Sequence, residues 1–241
     1  MRTHPAGSGR VARTTAWLGG AVFVLSLAFF VWSYGVRFGR STPANGSPGV
    51  AAALAVNALL FTVFALHHSV MARSGAKAWL KRVVPPALER SVYVWIASVM
   101  FMVTCAAWRE IPVLVYDVPW PAKGACLGLQ GWGVWLTLRS AGVIDPLELA
   151  GIRQVLGPVR PASFKVFGPY HLVRHPIYFG WALMTFGAPL MTGTRLSFAV
   201  ISTAYLVIAI PFEERSLIDV FGDEYRAYQT RVRWRMVPGV Y

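Results

Sequence analysis

Four stretches of this chain, Thr14–Val36, Gly49–Ala72, Ser91–Trp108 and Gly124–Leu138, contain no Lys, Arg, Asp or Glu. A helix needs roughly 17–25 mostly apolar residues to cross the hydrocarbon core. Only structures that pair every backbone group internally survive there. The first three runs have that length. The fourth is shorter and rich in Gly and Trp, and extends toward Ile144. Composition points the same way: charged residues make up 14% of the chain and hydrophobic ones 56%, against roughly a quarter charged in an average soluble domain. An all-α, polytopic integral membrane bundle is predicted, with four long spans, a C-terminal helical hairpin and an interfacial C-terminal helix.

The net charge of +13 suggests nucleic acid at first sight. That reading is excluded because long apolar runs separate the basic residues, which form no polar face. Disorder is excluded by the aliphatic and aromatic content. Cys105 and Cys126 stand singly in apolar surroundings, with no CxxC, so neither a disulfide framework nor a zinc finger is encoded. The basic N-terminus precedes an apolar run too long for a signal peptide and lacking an A-x-A cleavage pattern.

After a polar stretch come two shorter apolar runs, Ile177–Thr192 and Leu196–Phe212, separated by Gly193-Thr194-Arg195. They read as a tight hairpin kinked at Pro189 and Pro211. Beyond it, Leu217, Phe221, Tyr225, Tyr228 and Val232 form a helical stripe over Glu213–Val232. This helix is predicted to lie at the interface or fold back on the loop between Arg139 and His175. If all six segments cross and the N-terminus is cytoplasmic, 18 of the 23 Lys and Arg face the cytoplasm. The positive-inside rule therefore places both termini there, in what is expected to be a bacterial inner membrane. The chain reads as one domain, 1–241, with N-terminal spans over 14–144 and a site-bearing part over 145–241.

Candidate chemistry concentrates in Gly168-Pro169-Tyr170-His171-Leu172-Val173-Arg174-His175-Pro176-Ile177-Tyr178-Phe179-Gly180. Pro176 suits a first helical turn, whose free N–H groups and positive dipole end favour an anionic group. Arg174 offers a carboxylate or phosphate clamp, and Tyr170 and Tyr178 offer faces for a planar ring. An interfacial belt of Tyr, His and Arg is the competing reading. Glu213 and Glu214 follow the second arm of the hairpin, so its two ends should bring these acids to Arg174 and His175. His67 and His68 lie near the cytoplasmic end of the second span. Successive helical residues point about 100° apart, so one of the two faces the bundle. His171 and His175 are spaced i, i+4, but too few further ligands exist to favour a metal.

The run GPYHLVRHPIYFG, the Glu213-Glu214 pair and the trailing FGDEYRAYQTRV with Pro238 resemble the isoprenylcysteine carboxyl methyltransferase and phospholipid methyltransferase superfamily. Upstream, HHSVMAR, KAWLKR, ERSVYV and WREIPV resemble its bacterial branch of methanethiol S-methyltransferases and NnrU-like proteins. The resemblance implies S-adenosylmethionine (SAM) as methyl donor. Carried over by position, its contacts are Lys165, Tyr170, Arg174, His175, Pro176, Ile177, Tyr178 and Glu213. His68, Arg174 and Glu214 are the catalytic candidates, with His68 or Glu214 as the base for a thiol. The implied acceptor is a small or lipophilic thiol, with the bilayer as surroundings and no nucleic acid. Ala209 stands where the carboxyl-methylating enzymes carry Arg, which weakens carboxyl methylation. An isoprenylcysteine carboxylate, a phospholipid amine and a non-catalytic NnrU-like role remain the alternatives.

Overall fold

The computed structural model describes residues 6–40, 49–71, 73–157, 164 and 166–241. Within them run ten α-helices: α1 Ala6–Trp32, α2 Val50–Met71, α3 Ser74–Val83, α4 Glu89–Ala107, α5 Ala122–Ala141, α6 Pro146–Leu149, α7 Arg153–Leu156, α8 Pro176–Phe186, α9 Gly193–Phe221 and α10 Asp223–Arg231. Two short strands, β1 Leu114–Asp117 and β2 Leu190–Thr192, pair antiparallel. The architecture is an all-α membrane bundle. Four segments are long and apolar enough to cross a membrane: Gly9–Arg37, Val50–Met71, Pro86–Ala107 and Gly193–Phe221.

Those four are not the four expected as long spans from the sequence. The Gly124–Leu138 run does form α5, but its glycines and Gln130 dilute its hydropathy, and α9 takes its place. The hairpin also differs from expectation. Its first arm, α8, has 11 residues, about 16 Å at 1.5 Å per residue, which is half the ~30 Å hydrocarbon core. Ala188 and Pro189 then lead into β2 rather than kinking a longer helix. The separator Gly193-Thr194-Arg195 is the first turn of α9, capped by the Thr192 side chain, which accepts from Arg195 N at 3.2 Å.

The second arm continues unbroken through Pro211 and both glutamates to Phe221. Glu213 and Glu214 are therefore interior residues of a 29-residue helix and do not begin the next one. The break falls at Gly222, whose backbone (φ 55°, ψ −125°) is open only to glycine at low cost. The helix predicted over Glu213–Val232 is thus divided, and α10 starts at Asp223. Its stripe survives the break: Tyr225, Tyr228 and Val232 are buried against Leu217, Ile218, Phe221, Phe164 and Val166. Of the two predicted placements, α10 adopts the fold-back onto the preceding loop, and Tyr228 Oη donates to Tyr170 O at 2.7 Å.

The chain divides into two compact units, each assembled from separated stretches. One holds the described residues of 1–37, 58–108 and 145–161. In it Trp95 Nε1 donates to Thr15 O at 3.1 Å, and Ser91 Oγ donates to Gly151 O at 2.5 Å. Arg37 donates to the carbonyls of Cys105 and Trp108, both at 2.9 Å, satisfying acceptors that the end of α4 leaves free. The other unit holds the described residues of 38–57, 109–144 and 162–241. There α5 and α8 meet at Gly133 and Gly180: a Cβ on either would come within 2.6 Å of the other's carbonyl oxygen. Gln130 Nε2 seals the contact on Met184 O at 2.8 Å. Close approach through paired small residues is how helices associate where lipid removes the hydrophobic drive.

Candidate active site

The second unit brings together most of the residues singled out by sequence. His175 is the N-cap of α8 and Pro176 its first residue. The His175 carbonyl accepts from Tyr178 N and Phe179 N, each at 3.1 Å, so the loop residues Arg174 and His175 are fixed against the helix start. Opposite them, adjacent positions on α9 send Glu213 and Glu214 in different directions. The Glu214 side chain is 5% exposed and that of Glu213 45%.

Glu214 is enclosed by donors. Its Oε1 accepts from Arg174 Nε at 2.6 Å and lies 3.4 Å from His175 Nε2. Its Oε2 accepts from Gln229 Nε2 at 3.1 Å and faces Arg235 Nε at 3.5 Å. A carboxylate has about four lone-pair sites, and all four are engaged. Arg174 is equally committed, donating through Nη1 to Val232 O at 2.7 Å and Arg233 O at 3.0 Å. This pair is a buried joint between the site loop, α9 and the chain at 232–233. The two residues expected to clamp an anion and to take a proton are thus each other's partners, Arg174 Nε on Glu214 Oε1.

Glu213 is the carboxylate that remains available. Tyr178 Oη donates to its Oε1, and His175 Nδ1 lies 3.5 Å from its Oε2. The rings of His175 and Tyr178 stack at 5.3 Å with 15° between their planes. Burial pushes the His175 imidazole down, but its hydrogen bonds to Glu213 and Glu214 and their charges outweigh this, so its pKa is raised. Burial, with the Glu213 charge adding to it, pushes the Tyr170 phenol up to about 12. A half-exposed acid, a histidine held between two acids and flanking aromatic faces form one cluster.

Ile177 occupies the first turn of α8 and is half-buried. Lys165 lies outside the described residues. His68 belongs to the first unit. It is exposed there and shares a 2.8 Å hydrogen bond through Nδ1 with Tyr93 Oη. His67 is the more enclosed of the two. It stacks on Tyr93 at 6.2 Å, and neither of its ring nitrogens has a hydrogen-bond partner. His171 is exposed, and no group of three or more His, Cys, Asp or Glu among the described residues could hold a metal ion.

Sequence reading missed Gln229, Arg235 and the backbone of 232–235. A signal was present: Arg231-Val232-Arg233-Trp234-Arg235-Met236 alternates with period two, the mark of an extended segment. That segment pairs with the site loop, Arg174 N donating to Trp234 O at 3.0 Å and His175 N to Arg235 O at 2.7 Å.

Residues 158–224 of this helical membrane bundle match the family model of phospholipid methyltransferases, and with its named relatives this makes the chain a membrane methyltransferase. The chain is 38% identical over 224 residues to a methanethiol S-methyltransferase of Mycobacterium tuberculosis, covering 89% of this chain and 92% of that one. It is 40% identical over 186 residues to one of Pseudomonas deceptionensis, covering 75% and 71% respectively. More distantly, it is 27% identical to Nurim of Rattus norvegicus, covering 80% and 87%. No solved structure matches. The chain belongs to the methanethiol S-methyltransferase family of membrane methyltransferases.

Proposed function

We propose that the chain uses SAM to methylate a small thiol, methanethiol first among them, to a thioether. The observation that carries the donor assignment is the cluster around Glu213. SAM brings an ammonium, a carboxylate, an adenine and a sulfonium. Half-exposed Glu213, oriented by Tyr178 and His175, suits the ammonium. The N–H groups freed at the start of α8, after Pro176, suit a carboxylate. Tyr170 and Tyr178 suit the adenine and the sulfonium. Ile177 and, from outside the described residues, Lys165 complete the proposed donor set. Arg174 and Glu214 support this set by holding His175 in place.

The acceptor assignment is supported by the names of the relatives and by Ala209. A thiolate sulfur would attack the methyl carbon in line, forming the new S–CH3 bond while the C–S bond to the donor breaks and its electron pair stays on the leaving sulfur. Positioning and water exclusion are then the main work of the protein. The thiol must first lose its proton to a base or to solvent. The proposed setting is the bacterial inner membrane with both termini cytoplasmic, where SAM is made.

The test is a headspace assay on membranes supplied with SAM and methanethiol, run beside carboxyl methylation of farnesylcysteine and methylation of phosphatidylethanolamine. Dimethyl sulfide is the expected product. Carboxyl or amine methylation without dimethyl sulfide overturns the acceptor, and normal SAM binding by both Glu213→Ala and His175→Ala overturns the donor site.

A further inference from the structure

We infer that the segment 229–241 is a clamp that positions His175, with Arg235 as its charged element. The inference rests on the donor site proposed above for its functional consequence, but its geometry stands alone.

Three observations converge. The main chain of the segment is bonded to that of the site loop through His175 N to Arg235 O and Arg174 N to Trp234 O. The segment is itself anchored. Met236 is 2% exposed in a cluster with Leu136, Val173, Phe179 and Ile210. Its turn is closed by Met236 N and Val237 N donating to Tyr241 O at 2.8 and 3.0 Å. Finally, its side chains reach the carboxylate that holds His175: Gln229 Nε2 and Arg235 Nε sit on Glu214 Oε2, while His175 Nε2 sits on Oε1. Arg235 is braced from behind, its guanidinium 5.3 Å from the Tyr241 ring centre and its Nη1 donating to Tyr241 Oη at 3.1 Å.

Arg235 and His175 therefore share one carboxylate. The charged and titratable groups facing His175 are Glu213 and Glu214 on α9, Tyr178 on α8, its neighbour Arg174, and Arg235 across Glu214. The glutamates favour the imidazolium, whereas Arg174 and Arg235 compete with it for Glu214. Removing the Arg235 charge leaves more of that carboxylate to His175, so the imidazole holds its proton to higher pH. An imidazolium beside Glu213 in turn neutralises the acid proposed for the SAM ammonium. Arg235 thus tunes how much of Glu213 is free for a cation at a given pH.

The experiment compares wild type with Arg235→Gln, Arg235→Lys and His175→Gln in detergent, reading thermal midpoint against pH and the SAM dissociation constant against pH. In wild type the His175 contribution to stability is present at low pH and lost as pH rises through its folded-state titration. Arg235→Gln should move that loss upward by about half a pH unit to one unit, Arg235→Lys should restore it, and His175→Gln should abolish it. SAM binding should tighten with rising pH, its midpoint moving upward in parallel in Arg235→Gln. Coincident pH profiles for wild type and Arg235→Gln overturn the clamp, even if Arg235→Gln lowers the thermal midpoint uniformly. A stability profile that shifts as described in a protein that binds no SAM leaves the clamp standing and overturns the donor site instead.

Discussion

Replacing Glu214 by Gln changes one atom and should unravel the joint between the site loop and α9. The glutamine oxygen can still accept from Arg174 Nε, now 2.6 Å from Oε1. Its amide nitrogen must then take the place of Oε2, where Gln229 can accept only by turning its own amide over and Arg235 Nε, a donor with no acceptor to offer, is left facing it. Turning the amide over merely transfers the conflict to Arg174. Arg174 is 8% exposed and Glu214 4%, so water cannot compensate. Breaking one partner of a buried pair costs about 3–5 kcal/mol. For a chain of this size the thermal midpoint falls by roughly 2–4 °C per kcal/mol. The fall should therefore be about 6–20 °C, read from tryptophan fluorescence in detergent. Arg174→Lys keeps the charge but loses the fork that reaches Glu214 and the carbonyls of Val232 and Arg233 together. It should cost about 1–3 kcal/mol, in the range of losing hydrogen bonds to a charged group. A Glu214→Gln protein melting within a degree or two of wild type would refute the reasoning, because it would mean the carboxylate is hydrated and its partners dispensable.

Further outcomes are open to measurement. Gly180→Val places branched carbon where Gly133 O already lies 2.6 Å from an added Cβ and should destabilise by about 1–3 kcal/mol, whereas Gly128→Ala, with nothing within 4 Å, should melt like wild type. Gly222→Ala forces an L residue into the φ 55°, ψ −125° backbone at a cost of about 1–3 kcal/mol, seen as a lower thermal midpoint. Tyr178→Phe removes the charge-assisted hydrogen bond that orients the Glu213 carboxylate and should weaken SAM binding roughly ten- to a hundredfold by calorimetry; unchanged affinity would remove Tyr178 from the donor site. A reporter fusion after Val118 should score as external, and an internal score there would overturn the proposed orientation.

The sequence made the membrane bundle legible because hydropathy over some twenty residues is a local property. It also made the meeting of Arg174 and His175 with the glutamates legible, since the two arms of a hairpin are adjacent by construction. It did not separate the two glutamates. Their roles diverge because helical rotation turns one into a ring of donors and leaves the other at the surface, and two of those donors, Gln229 and Arg235, come from a segment whose return to the site no local pattern announces. The short α8 escaped notice because Gly187, Ala188 and Pro189 continue the apolar run while ending the helix, so hydropathy extends where backbone geometry does not. Gly222 was legible as an unfavourable helical residue, but only its positive φ shows that the chain uses it to stop one helix and aim the next.

Each compact unit is stitched from separated stretches, and this decides how the chain can be recombined with its relatives. A single crossover after residue 144 looks natural from the sequence, yet it parts Ser91 from Gly151 and Arg90 from Glu148 and Gln154, and also Gly133 from Gly180. Every one of those contacts would then join residues of different parentage. Chimeras meant to trade acceptor preference should instead exchange whole sets: residues 1–37, 58–108 and 145–161 from one parent, and the remainder from the other. Such three-segment exchanges carry each set of native contacts intact, whereas a half-for-half swap disrupts both sets at once.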